Sequence, residues 1–442
     1  MKIKLAQLEG VLQSSANSPD TTFHGVATDS RKVVPDDIFI PLHGKNFNGH
    51  NYIDDAIKNG AVAVISEKDL QDYPHIKVQN TLDALAKLAM FYSHTINPIT
   101  IGITGTNGKT TVTDMTAKIT AKYKLTSKTY ENYNNNIGLP LSILKADSQS
   151  KIVVLEMGAS RVGDIKELIN IARPNVVALL NVSAAHLETF KSIDNILLTK
   201  EEIFINQGFN KTVILNKDDK HFNRWTKKNN LNNIRTISAM NKEADYTASR
   251  ISENQILIKT PHESSFNLMI KNIEYHNILN ILFSIAIACE VGARSEHIIP
   301  ALGQYEGIKG RSKIYSGISN SKIIDGSYNA NPASFKSSIN YLTDLNGASW
   351  VIMGQMGELE DKSEEYHVEI AIHAANQGVE KLFLITDHNK AITKAFGHGA
   401  LAFSNRSDLI KHIKPLLKNN INVLVKASRF MKFETIVDEL IS

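Results

Sequence analysis

The chain has 442 residues, 42% of them apolar and 21% charged, enough for about two to four domains with ordinary cores. A formal charge of +4 spread over this length, with no Lys/Arg run, argues against a nucleic-acid interface. The single cysteine, Cys289, excludes a disulfide framework and a cysteine metal cluster, and no apolar run approaches the ~18 residues of a membrane span. Residues 1–10 lack the apolar core of a signal peptide, so a reducing cytoplasmic setting is expected.

Residues 1–97 read as a first domain of mixed strands and helices. Residues 36–42 look like a turn into a strand and 61–65 like a buried strand, while 52–59 and 82–92 fit helices. Two polar, glycine-bearing segments lie among them: Thr28-Asp29-Ser30-Arg31, and Gly44 through Gly49 with His43 and His50 at its ends. Either serves as an ordinary loop. Their Arg, Lys, Ser and His beside glycines would equally suit a diphosphate-bearing ligand.

Residues 98–309 are organised around the stretch Ile99-Thr-Ile-Gly-Ile-Thr-Gly105-Thr106-Asn107-Gly108-Lys109-Thr110-Thr111. The β-branched run 99–104 predicts a buried parallel strand, and 111–122 predicts a helix after a glycine turn. A phosphate-binding loop requires this order. Gly105 and Gly108 let the backbone wrap close to a phosphate, and amides at the helix start point at the anion. Lys109 would reach the terminal phosphates and Thr110 would offer its hydroxyl to Mg²⁺. The spacing departs from the common form, because Ile103 stands where a first glycine is usual. Strands expected at 152–155, 176–180 and 212–215 alternate with helices at 164–171 and 193–205, the pattern of a doubly wound parallel sheet. Residues around 251, 255–259 and 266–270 alternate more like antiparallel strands, and 274–291 reads as a long helix that buries Cys289.

Residues 310–442 repeat the α/β alternation. Strands are expected at 322–324, 349–353, 381–385 and 422–425, and helices at 332–345, 363–377, 408–418 and 430–440.

Polar residues at predicted strand ends mark where ligands bind in open α/β sheets. Glu156 ends one strand and could hold Mg²⁺ across from Thr110. His186, after another, is either a loop histidine or a metal ligand. Lys200, beside Glu201 and Glu202, reads by itself as a solvated surface lysine. Asn132, Asn134, Asn135 and Asn136 precede Gly138-Leu-Pro140 and suit either a turn or a polar groove. In the last third, Asp325 could bind a ribose hydroxyl, Tyr328 could stack on a base, and Asn331 could cap the helix starting at Pro332. Arg311 sits at the predicted hinge, where it could swing onto a phosphate. The segment from Met353 to Leu359 is a further strand-end loop.

Together these residues resemble the bacterial Mur ligases over essentially the whole chain. Asp29-Ser30-Arg31 and Gly44 to His50 look like that family's sugar-nucleotide loops, and Thr104 to Thr110 is similar to its phosphate loop, which accounts for Ile103. Glu156-Met-Gly and Ala185-His186-Leu-Glu resemble its magnesium segments, and Lys200-Glu-Glu-Ile-Phe204 the helix with a carbamylated lysine. His276-Asn277-Ile-Leu-Asn280 is similar to the adenine-contacting helix. Arg311, Asp325 with Tyr328-Asn329-Ala-Asn331-Pro332, and Val425-Lys-Ala-Ser-Arg429 match its C-terminal motifs. Gly326 and Ala427 depart from it, standing where an acidic residue and a glycine are usual.

The resemblance implies an α/β fold of three domains: a small α/β N-terminal UDP-binding domain (1–97), a central phosphate-loop parallel-sheet ATPase domain (98–309) and a C-terminal Rossmann-like domain (310–442). It implies ATP and Mg²⁺ as cofactors. Lys109, His186 and Lys200 would be catalytic, and Thr110, Glu156, His186 and carbamylated Lys200 would hold metal. Gly105, Thr106, Asn107, Gly108, Lys109, Thr110 and Thr111, with Asn280, Arg311, Asp325 and Tyr328, would bind the nucleotide. Ser30, Arg31, Gly44, Asn135, Asn136, Asn329 and Asn331 would bind the other substrates. Within the family, Tyr328 to Pro332 and Met356-Gly-Glu-Leu359 most resemble the branch that adds D-alanyl-D-alanine to UDP-N-acetylmuramoyl-tripeptide, and a monomer is expected. A diamino-acid-adding sibling, a folylpolyglutamate synthase and a non-ligating nucleotide switch stay open. The folate enzyme starts close to its phosphate loop, whereas nearly a hundred residues precede it here.

Overall fold

The computed structural model describes residues 1–44, 46–183, 187–205, 211–228, 231–240, 243–252, 254–270 and 275–441. A two-stranded antiparallel ribbon, Ile3–Lys4 with Thr22–Phe23, accompanies three larger sheets, the first of which has four parallel strands, Gly25–Ala27, Asp37–Phe39, Ala63–Ser66 and His75–Lys77, in sequence order. The following helix, Thr81–Ile96, starts on Asn80, whose side chain accepts the Asp83 N–H. That helix buries Ala84, Leu85, Leu88, Ala89 and Tyr92. These side chains join one continuous core with Leu139, Leu144, Leu168 and Ile196, which lie beyond the phosphate loop. The Tyr92 hydroxyl donates to the Ala146 carbonyl at 2.8 Å, fully buried. The first sheet and the next are therefore fused through packed side chains.

The central sheet has nine strands. Every pairing in the order Thr126–Lys128, Ile152–Glu156, Ile99–Thr104, Val176–Leu179, Thr212–Asn216, Ile234–Ser238, Tyr246–Ser252 is parallel. Gln255–Lys259 and Phe266–Met269 then extend it antiparallel. The phosphate-loop strand lies inside this order, so its C-terminal end faces neighbours on both sides. A second core covers the other face, formed by the helices Lys109–Thr120, Tyr275–Glu290 and Ser295–Gly303. Cys289 is buried there, and burial pushes its thiol up to about 12.

The third sheet has six strands in the order Lys313–Ser316, Lys322–Gly326, Ile421–Lys426, Ala348–Gly354, Lys381–Ile385, Ala400–Ala402. The first pair is antiparallel and the rest are parallel. Its two cores draw only on residues from Ile314 onward.

The strongly apolar strands lie where their composition predicts. Short or half-exposed elements such as Thr126–Lys128, Gly138–Leu144 and Asn389–Phe396 were not among those expected. The helix expected over 408–418 stops at Ile413 and tightens into a 3₁₀ turn, Lys414–Leu416, because Pro415 has no N–H to continue it. Among the described residues, no helix is long and apolar enough to cross a membrane.

Candidate active site

The strand Ile99–Thr104 passes to the helix Lys109–Thr120 through residues 105–108, two of which must be glycine. Gly105 has φ +155°, and a Cβ there would lie 2.9 Å from Leu180 Cβ. Gly108 has φ +87°, and its Cβ would lie 2.5 Å from Asn280 Oδ1. Asn280, on the helix Tyr275–Glu290, thus packs directly on the loop. The Lys109 ammonium folds back over the loop and donates to the carbonyls of Gly105 at 2.8 Å and Thr106 at 3.1 Å. Burial lowers its pKa.

Thr110 Oγ1 donates to Glu156 Oε2 at 2.6 Å. Glu156 closes the adjacent strand Ile152–Glu156 and is buried. Its other oxygen accepts from Asn134 Nδ2 at 2.7 Å, and its own N–H donates to Thr129 Oγ1 at 2.7 Å. A hydroxyl and a carboxylate held this close form a hard-oxygen pair that fits Mg²⁺.

Lys200 is not the solvated lysine its neighbours suggest. It shares a helix face with Ile196 one turn earlier, and only 4% of it is exposed. Burial, and next the charge of Lys109, push its amine down to about 7. The acidic neighbours point elsewhere. Glu201 pairs with Arg224 at 2.6 Å, and Glu202 accepts the N–H groups of Gly163 at 2.7 Å and Lys166 at 2.9 Å.

The third domain closes the site. The Arg311 guanidinium lies 4.1 Å from the Tyr328 ring centroid. The Asn329 carbonyl accepts from Lys426 Nζ at 3.1 Å. Asn331 acts twice: Oδ1 accepts the Ser334 N–H to cap the helix Pro332–Thr343, while Nδ2 donates to Asn107 Oδ1 at 2.8 Å across the domains. These groups surround one cavity of about 1110 Å³. Lys109, Thr111, Glu156 and Lys200 line it from the central domain, and Arg311, Tyr328, Asn329 and Asn331 from the C-terminal domain.

The structure places the other expected site residues as follows. Asp325 has no free carboxylate for a ribose. It is fully buried; one oxygen accepts the Gly310 N–H at 2.7 Å, and the other accepts the Ser327 N–H at 3.1 Å and hydroxyl at 2.6 Å. It fastens the strap that carries Arg311. Asn135 and Asn136 do not line the cavity. Asn135 Oδ1 accepts from Gly138 and Ile137 N–H at the start of the helix Gly138–Leu144, and Asn136 Nδ2 donates to Glu167 at 3.3 Å. The amide that enters the cavity is Asn134. Ser30, Arg31 and Gly44 are not part of the cavity lining and lie in loops after the adjacent parallel strands Gly25–Ala27 and Asp37–Phe39. Ser30 is buried, and the exposed Arg31 pairs with Asp29 at 2.8 Å. The Gly44 N–H donates to the Phe47 carbonyl at 2.9 Å. His186 lies outside the described residues.

Sequence reading passed over one residue that the structure makes prominent. Asn181 follows the strand Val176–Leu179 and grips the phosphate loop from the side. Its Oδ1 accepts the Asn107 N–H at 2.9 Å, its Nδ2 donates to the Asn107 carbonyl at 3.0 Å, and its carbonyl accepts the Thr106 N–H at 3.0 Å. Its place just past an apolar strand was the available signal.

Known proteins match this arrangement in three segments. Residues 22–93 match the profile described as the Mur ligase family, catalytic domain; residues 103–288 match the Mur ligase middle domain; and residues 310–429 match the Mur ligase, glutamate ligase domain. A UDP-N-acetylmuramoyl-tripeptide–D-alanyl-D-alanine ligase of Buchnera aphidicola (strain Bp) is 34% identical, over 99% of this chain and 97% of its own. A crystal structure of MurF from Acinetobacter baumannii superposes with a TM-score of 0.91 at 26% identity, covering 100% of this chain and 99% of that one. MurF ligase from Thermotoga maritima, solved in complex with ADP, gives 0.84 at 28% identity, covering 94% and 96%. On these full-length matches, and on a site built from its motifs, the chain belongs to the Mur ligase family.

Proposed function

We propose that the chain is an ATP-dependent amide ligase that joins D-alanyl-D-alanine to UDP-N-acetylmuramoyl-tripeptide. The observation that carries this reading is the Thr110–Glu156 contact beside Lys109 and Lys200, in a cavity whose other wall is the C-terminal domain. The choice of substrates rests on full-length likeness to relatives that bear that name.

A carboxylate is a poor electrophile. The γ-phosphoryl group of ATP is therefore moved onto the tripeptide carboxylate, giving an acyl phosphate and ADP; the dipeptide amine then attacks and phosphate leaves. Such a transfer needs positioning and charge neutralisation more than covalent help. Lys109 would exchange its two loop carbonyls for phosphate oxygens, while the loop amides hold the remaining charge. Mg²⁺ held by Thr110 and Glu156, and a second ion held by His186 and Lys200, would neutralise the reacting oxygens. Lys200 suits that task once its neutral amine has added to CO₂ and lost a proton, since the carbamate is a carboxylate-like ligand. An amine pushed down to about 7 supplies that neutral form.

Asn280, Arg311 and Tyr328 would contact the nucleotide, and Asn329 and Asn331 the incoming dipeptide. Asp325 and Asn135 act as positioning residues through Gly310 and Gly138. We assign 1–97, with Ser30, Arg31 and Gly44, to the sugar nucleotide, 98–309 to ATP, and 310–442 to the dipeptide and part of the nucleotide. One copy of the chain suffices, drawing on cytoplasmic ATP. The test is phosphate release from ATP and Mg²⁺ with UDP-N-acetylmuramoyl-tripeptide, with and without D-alanyl-D-alanine. Release that needs both, with a product heavier by the dipeptide, is expected. Release driven by a single diamino acid and the shorter nucleotide-dipeptide would move the chain to the sibling activity.

A further inference from the structure

The loop after the strand Ala348–Gly354 enters the cavity with Gly357, Glu358 and Leu359, on the C-terminal domain's side. Its backbone is unusual. Glu358 has φ +63° and Glu360 φ +50°, two non-glycine residues in the left-handed region within three positions. Such conformations persist only where the surroundings over-determine them. Here a single buried side chain does much of that. His367, on the helix Ser363–Asn376, is fully buried. Its Nε2 accepts the Met356 N–H at 2.9 Å, and its Nδ1 donates to the Ser363 carbonyl at 2.6 Å. Burial, and less so His388 with its ring 5.2 Å away, push the imidazole down to about 4, so Nε2 stays an acceptor at neutral pH. The loop is tied elsewhere too: Gly357 N–H donates to Ser428 Oγ at 2.8 Å, Gln355 Oε1 accepts the Asp387 N–H at 3.1 Å, Gln355 Nε2 donates to Ser363 Oγ at 3.2 Å, the Gln355 carbonyl accepts the Ser428 N–H at 3.0 Å, and Glu360 pairs with Lys191 at 2.8 Å.

Lys109, Glu156 and Lys200 all face the cavity from the central domain, so the transferred phosphoryl group is held mainly from that wall, with Arg311 and Tyr328 reaching the nucleotide from the other. The amine that attacks an acyl phosphate would then arrive from the other wall, where this loop stands. Resting on the ligase reading above, we infer that His367 is a positioning residue that holds the 355–360 loop in the shape that receives the incoming amino substrate.

Asparagine and glutamine separate the two functions of the ring. In His367→Gln the side-chain oxygen reaches the place of Nε2 and still accepts from Met356. In His367→Asn the amide reaches the place of Nδ1, still donates to Ser363 and leaves Met356 N–H unpaired. In phosphate-release assays of the full chain with ATP and Mg²⁺, His367→Asn is expected to raise KM for D-alanyl-D-alanine about tenfold, the equivalent of ~1.4 kcal/mol. KM for ATP stays within about twofold, and His367→Gln stays close to wild type in both. Ser428→Ala removes a second tie on the same loop, together with a 3.5 Å bond to the Ala330 carbonyl, and is expected to raise the same KM if either histidine variant fails to fold. Equal rises in both KM values, or an unchanged dipeptide KM in folded His367→Asn or Ser428→Ala, overturn the inference. A wild-type enzyme that ignores D-alanyl-D-alanine overturns the ligase reading, and with it this one.

Discussion

Asn181→Ala isolates the grip on the phosphate loop. The substitution removes the acceptor of the Asn107 N–H and the donor to the Asn107 carbonyl, at 2.9 and 3.0 Å, and leaves the backbone bond from Thr106 intact. A buried amide left without a partner costs about 1–3 kcal/mol. Both Asn107 groups lie at the wall of a water-accessible cavity, so the low end applies to each, giving about 2 kcal/mol in all. If that falls on the ATP-bound arrangement, kcat/KM for ATP drops about thirtyfold, at ~1.4 kcal/mol per factor of ten. The assay is initial-rate phosphate release at varied ATP, repeated at varied dipeptide, with a thermal melt to confirm folding. Asn181→Asp, which keeps the acceptor and loses the donor, is expected to fall at least as far, because it adds a charge beside the phosphates. A folded Asn181→Ala with kcat/KM for ATP within about twofold of wild type would refute the reasoning.

Three other outcomes are expected. Lys109→Ala abolishes turnover while leaving the circular dichroism spectrum unchanged, and normal rates in that folded variant would sink the phosphate-loop assignment. Lys200→Ala loses activity that short carboxylic acids in the assay partly restore by standing in for the carbamate; no rescue over a wide acid concentration would count against a carbamylated ligand. Without bicarbonate, the lowered pKa of Lys200 has a signed effect on stability. Between about 7 and its ordinary 10.5 the native amine is neutral while the unfolded one is charged, so the native state binds fewer protons and unfolding free energy rises with pH. Urea titrations from pH 7 to 9 should show a steeper rise for wild type than for Lys200→Met, and equal slopes would contradict the burial of a neutral amine.

The sequence was most legible where one signal dominated. The run Ile99–Thr104, followed by two glycines and Lys109, specified strand, loop and helix, because β-branched packing and positive φ leave few alternatives. It was least legible where adjacent residues of one type do different things. Nothing in the run of asparagines says that Asn134 turns inward to Glu156 while Asn135 accepts the N–H groups of Ile137 and Gly138; the turn geometry decides that one residue at a time. The same holds for Lys200, Glu201 and Glu202, where helix phase turns the cation to the cavity and the two carboxylates to other partners. Asp325 lies at a strand end, as a ligand-binding residue would, yet it faces the strap behind it, and only tertiary contacts reveal that. Thr126–Lys128 is a three-residue edge strand with half-exposed side chains, too short for alternation to register.

The core shared by the first two sheets has a mechanical meaning. Packed side chains from Leu85 to Ile196 and the buried Tyr92–Ala146 bond weld them into one rigid block, while the third sheet keeps both of its cores to itself. Any swing of the third sheet would thus be concentrated in the strap ahead of Arg311, an anvil and a hammer rather than three loose pieces. Under the proposed chemistry, the acceptor carboxylate and most of ATP meet on the anvil, with Arg311 and Tyr328 reaching the nucleotide from the hammer. The amine rides on the hammer, and amide formation waits for the swing. An acyl phosphate could therefore form ahead of closure, sheltered from water only once the blow lands.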